Sequence, residues 1–361
     1  MIKNKLSPSN RSGALDLLRF LAVVVVFFAH YTDTFNYVYH IVPENFKYIP
    51  VFKYGPTALL VFFTVSGYVV TMTSMKRNLK DFVITRLSRL YPLFWISCVA
   101  AFILPRLFYS NHSYLPDTSV KTFLYNLTML PSAFGYQLIN PVYHTLALEI
   151  LFYIFIALII VFKLWDKILI IIGIMLLLCI ANLFKQDVPV YIIVNPFLAG
   201  MIFYLISIQY ASKIKLFSLL AVNFFCSVSS SWYLAEQLDL AQKGEIVHHA
   251  SVIISIITVI YLVFLLISIK VIRISGRPFF QLLGEIAYPF YLFHIYFLCF
   301  YWYFRNKVQA DLLLFGILII AIFTSWVINV LLEKPLSSLA NRGLYYLTDL
   351  FRKEKISKVI N

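Results

Sequence analysis

The sequence predicts an all-α integral membrane protein with about ten transmembrane helices and both termini on the cytoplasmic side. Three observations carry that prediction. Of 361 residues, 61% are hydrophobic and only 13% are charged, a balance that leaves a soluble domain short of polar surface. Ten stretches approach the roughly 20 mostly apolar residues that a helix needs to cross a bilayer: residues 15–33, 56–75, 88–105, 146–163, 167–184, 190–208, 214–232, 247–268, 283–304 and 311–332. With the N-terminus placed inside, 21 of the 30 Lys and Arg fall in inner segments and 8 in outer ones, Arg19 lying within the first span, which is the asymmetry expected of cytoplasmic loops. The net charge of +14 then belongs to helix ends facing anionic headgroups and does not call for a nucleic-acid partner. The chain reads as one transmembrane domain, 1–361, with a short basic N-terminus (1–14), a long outer loop with an interfacial segment (107–145) and a C-terminal tail (333–361). The first apolar run lacks a small-residue cleavage site and reads as a retained helix rather than a cleaved signal. Cys98, Cys179, Cys226 and Cys299 show no metal-ligand spacing, so neither a zinc site nor a disulfide framework is expected.

The first span, "LLRFLAVVVVFFAH", carries Arg19 near one end and His30 near the other. Eleven residues make nearly three whole turns, so both side chains point the same way, about 16 Å apart along the axis. Ionisable groups inside a span are costly and face a protein interior or a watery cavity; the plainer alternatives are a snorkelling arginine and a histidine in an interhelical hydrogen bond. In the second span, "FFTVSGYVV" puts Ser66 and Gly67 near mid-bilayer, where small residues let helices approach closely. The third begins "RLSRLYPLFW": Arg86 and Arg89, three apart, share a face and suit a phosphate-bearing ligand because their planar forks bind phosphate bidentately. An ordinary positive belt is the competing reading. The fourth, "NPVYHTLALEILFYIF", places Glu149 about one turn in, at a depth close to that of His30, with His144 at the interface. The ninth, "LGEIAYPFYLFHIYF", carries His294 near mid-bilayer, and Pro289 is expected to kink it and free carbonyls that Tyr288 or Tyr291 could cap.

In this order the motifs "LDLLRFLAVVVVFFAHY", "FFTVSGY", "RLSRLYPLFW", "HTLALEILFY", "LGEIAYPFYLFH" and "EKPLSSL" resemble the acyltransferase 3 family of membrane-bound acyltransferases, over nearly the whole chain. The resemblance implies ten helices in a bacterial cytoplasmic membrane. It implies a cytoplasmic acyl-coenzyme A donor, acetyl by expectation, and no metal. It implies an outer glycan or lipid-linked glycan as acceptor and membrane lipids as partners, with a homo-oligomer permitted. It assigns Arg19, Arg86 and Arg89 to the donor and His30 and Glu149 to the chemistry; Ser66 is a further candidate for the donor. The family often has Trp where His144 stands and Ser-Tyr-Ser where Ala287-Tyr288-Pro289 stand. The end of the chain soon after its last span resembles the stand-alone, exopolysaccharide-modifying type.

On that reading His30 is a general base suited to neutral pH, and Glu149, or Asp33 one turn beyond His30, fixes its tautomer as a carboxylate orients a base elsewhere. Direct transfer and an acyl-histidine intermediate are both open. The alternative from another class is a polytopic transporter or flippase of glycan precursors or small solutes, since ionisable groups in spans also mark ion pathways.

Overall fold

A computed structural model describes residues 12–34, 52–108, 119–183, 190–241, 247–274, 276–304 and 306–360. Among them every element is helical: α1 (Gly13–Ala29), α2 (Ala58–Ser74), α3 (Leu79–Phe108), α4 (Val120–Asn126), α5 (Tyr143–Val161), α6 (Ile168–Leu183), α7 (Val190–Ser207), α8 (Lys213–Ser229), α9 (Ser231–Ala241), α10 (Ala250–Ser268), α11 (Pro278–Phe293), α12 (Leu298–Phe304), α13 (Ala310–Ile328) and α14 (Lys334–Ile360).

Eight helical stretches among the described residues are long and apolar enough to cross a membrane: 13–32, 52–74, 79–106, 143–161, 164–183, 213–240, 250–268 and 310–350. Two of the ten expected spans fall short of that measure. Around the sixth, the qualifying apolar part is the shorter helix 194–207. The ninth is interrupted: α11 gives way at His294 to a 3₁₀ turn, His294–Phe297, before α12 resumes. Pro289 lies inside α11, so the break comes five residues after the proline that the sequence suggested. Of the expected outer loop 107–145, residues 109–118 lie outside the described residues; residues 107–108 end α3, residues 143–145 begin α5, and between them lie α4 and a 3₁₀ turn, Pro131–Phe134. The outward faces of the helices carry large apolar residues such as Ile170, Leu177, Leu262 and Ile319, each more than half exposed. A face of that kind belongs against lipid, where helices gain nothing from hiding leucine and associate instead through close packing and hydrogen bonds.

The chain divides into two compact units. The first comprises 1–75, 163–288 and 300–318. Two glycines set its tightest crossing. A Cβ on Gly67 of α2 would overlap the Phe197 carbonyl oxygen, and one on Gly200 of α7 would overlap the Thr64 oxygen and the Tyr68 nitrogen. The helices therefore meet backbone to backbone, as the small residues of "TVSGY" suggested. Neither backbone can yield as a flexible side chain would. Gly67→Ala and Gly200→Ala are each expected to cost at least about 1–3 kcal/mol, read as a lower melting temperature in detergent; unchanged melting of both would show that the crossing is loose.

A second device is polar. Asn195 of α7 and Asn223 of α8, both buried, clamp reciprocally. Asn195 Nδ2 donates to the Asn223 carbonyl at 2.9 Å, and Asn223 Nδ2 donates to the Asn195 carbonyl at 3.0 Å. Asn195 Nδ2 also reaches Ser227 Oγ at 2.6 Å, and Ser227 shares a hydrogen bond with Tyr261 of α10 at 2.8 Å. In an apolar bundle such bonds select one helix pairing among many of similar greasiness.

The second unit comprises 76–162, 289–299 and 319–361. Here α14 runs antiparallel to the first turns of α3, tied by Asn341 to Ser88 (3.1 Å), Tyr345 to Asp81 (2.6 Å) and Lys80 to Asp349 (2.6 Å).

Candidate active site

In the first unit α1 carries both predicted ionisable residues. Its helical geometry persists to His30, whose N–H reaches the carbonyls of Val26 and Phe27. The eleven-residue phase between Arg19 and His30 therefore survives, with the two at opposite ends of one helix face. Near the first end, Arg19 Nη1 lies 3.9 Å from Asp16 Oδ1, one turn back. Asp16 is only 3% exposed, and a Cβ on Gly284 of α11 would overlap its carboxylate; glycine is what lets α11 close over this acid. Sequence reading missed Asp16, although its i, i+3 spacing from Arg19 was visible.

At the other end the helix changes. Residues His30–Thr34 form a π turn, a rare insertion that is frequent at functional sites. Phe27 and Tyr31 stack at 4.4 Å beneath it, and Thr32 Oγ1 bonds back to the Phe28 carbonyl at 2.7 Å. His30 itself is half-buried. The wider π turn shifts Asp33 from the position a regular α-helix would give it, and the Asp33 side chain lies outside the described residues. Ser66, buried beside Gly67, sits at the α2–α7 crossing.

In the second unit the structure separates the two arginines that the sequence treated as a pair. Arg86 is 6% exposed. Its guanidinium carbon lies 5.4 Å from the ring centre of Tyr153 and 5.7 Å from that of Phe82, within cation–π range. Arg89, one turn on, is half-buried and is the more accessible fork for a phosphate. Glu149, half-buried, accepts a hydrogen bond on Oε1 from the Tyr153 hydroxyl at 2.5 Å. His144 is exposed, in the first turn of α5 rather than in a loop.

Residues 289–299 bring further polar groups to the second unit. Tyr291 OH pairs with Thr145 Oγ1 at 2.7 Å and donates to the Val142 carbonyl at 3.1 Å. Tyr296, Tyr143, Ser97 and Asn140 form a separate hydroxyl–amide cluster, with Ser97 Oγ 2.7 Å from Tyr143 OH and 3.2 Å from Tyr296 OH, and Asn140 Nδ2 3.3 Å from Tyr296 OH. His294 is fully buried, its Nδ1 lying 2.8 Å from the Tyr291 carbonyl and 3.2 Å from that of Phe290. A carbonyl can only accept, so Nδ1 holds a proton, and the ring caps the end of α11 where the 3₁₀ turn begins.

Apolar helices long enough to span a bilayer, with ionisable and hydrogen-bonded groups among them, define a polytopic membrane protein. The particular class follows from comparison: the chain belongs to the acyltransferase 3 family, described as "Acyltransferase domain", which matches residues 12–330. The match opens at α1 and closes within the π turn Asn329–Glu333, so α14 lies beyond it. A protein of Acidianus two-tailed virus named "Putative acetyltransferase ORF330" is 23% identical over 268 residues, covering 71% of this chain and 77% of the viral protein. No solved structure matches the chain.

Proposed function

We propose that this protein moves an acyl group, acetyl by expectation, from cytoplasmic acyl-coenzyme A to a hydroxyl of a cell-surface or lipid-linked glycan on the outer side of a bacterial cytoplasmic membrane. It is a transferase of groups other than aminoacyl groups. The observation that carries the reading is α1 itself, with a guanidinium at one end of a helix face and an imidazole about 16 Å further along, where the helix opens into a π turn. Membership of the acyltransferase family and the name of the viral relative supply the reaction class.

Arg19, Arg86 and Arg89 are the residues for the anionic end of the donor, and Ser66 is assigned to the donor as well. His30 accepts the proton of the acceptor hydroxyl as its oxygen attacks the thioester carbonyl. The carbon–sulfur bond breaks, and coenzyme A leaves as a thiolate that takes up a proton. Glu149 and Asp33 are the carboxylates assigned to the chemistry. Direct transfer satisfies this scheme without an acyl-enzyme.

The test uses inside-out membrane vesicles from cells expressing the protein, which carry their own acceptor, with acetyl-coenzyme A added. Free coenzyme A should appear together with acetylated glycan in the mass spectrum, both dependent on the protein. Vesicles that translocate glycan or solute without releasing coenzyme A would replace the enzyme by a transporter.

A further inference from the structure

One line of polar side chains in the second unit runs through Glu149 to residues that the scheme above does not use. Thr145, Glu149 and Tyr153 stand four residues apart on α5 and therefore lie along one helix face. Tyr153, the innermost of them, is 6% exposed and touches two charged residues at once. Its hydroxyl donates to Glu149 Oε1 at 2.5 Å, and its ring lies 5.4 Å from the Arg86 guanidinium.

The two parts of the side chain do separable things. Phe82 already offers Arg86 a ring at 5.7 Å, so a second ring needs no hydroxyl to hold the cation. A phenylalanine at 153 would fill the same space without bringing a polar atom into an apolar span. The hydroxyl is therefore explained by its partner, the Glu149 carboxylate. A carboxylate inside a span is expensive unless it is hydrogen-bonded, and a charge-assisted bond from a buried phenol also restricts it to one rotamer.

We propose that Tyr153 is a positioning residue for acyl transfer, orienting Glu149 through its hydroxyl and Arg86 through its ring. This rests on the reading that Glu149 and Arg86 serve the reaction. Tyr153 meets neither donor nor acceptor itself; it acts through Glu149 and Arg86.

The experiment compares Tyr153→Phe, Tyr153→Leu, Glu149→Gln and the double variant Glu149→Gln/Tyr153→Phe in the vesicle assay, with acetyl-coenzyme A as the varied substrate. Melting of each purified protein is measured in parallel. Tyr153→Phe should fold normally, keep its KM for acetyl-coenzyme A and lose about ten- to a hundredfold in kcat, the range of one charge-assisted hydrogen bond. Tyr153→Leu, which also strips a ring from Arg86, should raise KM as well. The double variant should be no slower than Glu149→Gln alone, because both changes remove the same oriented carboxylate. Wild-type kcat in Tyr153→Phe beside a slow Glu149→Gln would overturn the positioning role and leave the reading of Glu149 intact. A wild-type rate in Glu149→Gln would instead overturn the reading on which the proposal rests. A Tyr153→Phe protein that melts lower but turns over normally per folded molecule would make the tyrosine structural, and overturn the proposal too.

Discussion

His30→Ala is expected to bind acyl-coenzyme A as the wild type does and to transfer no measurable acyl group. Removing the base takes away proton abstraction from the acceptor, a loss of roughly 10²–10⁴ in rate, and leaves the donor contacts at the other end of α1 untouched. The half-buried imidazole at the start of the π turn is not part of the tight α2–α7 crossing, so the variant should also fold. Arg19 should fail in the opposite manner. Arg19→Ala should raise the KM for acyl-coenzyme A with a smaller effect on kcat, and Arg19→Lys should keep partial activity, since the charge remains while the fork is lost. Donor binding and acyl transfer measured on the same folded, detergent-solubilised preparations separate these outcomes. Wild-type turnover in His30→Ala would sink the mechanism.

Arg86→Ala and Arg89→Ala are expected to differ, although they are neighbours on one face. Arg86 is enclosed by the rings of Phe82 and Tyr153. Truncating it removes a desolvated cation–π contact of about 2 kcal/mol and the packing of its long stem. Its melting temperature should fall clearly, in addition to any effect on the donor. Arg89 is half-buried, and its loss should shift stability by no more than about 0.5 kcal/mol. Its effect should appear instead in binding, where one charge-assisted phosphate contact is worth about 1.5–3 kcal/mol. Equal melting of the two variants would show that burial does not distinguish them.

That division was invisible in "RLSRLYPLFW". The i, i+3 spacing correctly put the two arginines on one helix face. Phe82, four residues before Arg86, was a local signal for one ring, but the second ring belongs to Tyr153, more than sixty residues later, and no local pattern encodes it. Glu149 is a similar case. Its place in the fourth span was legible, though nearly two turns in rather than one because the helix begins at Tyr143, and its phenol partner follows only once α5 is known to be helical and Tyr153 to be buried. The spacing of four was the available signal. At the ninth span the proline drew attention to 289, whereas the helix gives way at His294, whose ring bonds to two backbone carbonyls.

The all-helical, apolar character of the chain, the limits of about half of the expected spans, the face shared by Arg19 and His30 and the motifs that led to the acyltransferase family could all be read from the chain alone. Each is a local property: transfer free energies add residue by residue along a span, and helical phase follows from a fixed angle per residue. The overlap of Gly67 and Gly200 with facing backbones, the clamp of Asn195 with Asn223, the enclosure of Arg86 and the acid seated beneath Gly284 were decided by tertiary structure. They depend on segments distant in sequence meeting at ångström range, and in an apolar bundle only close packing and hydrogen bonding distinguish one such meeting from the alternatives.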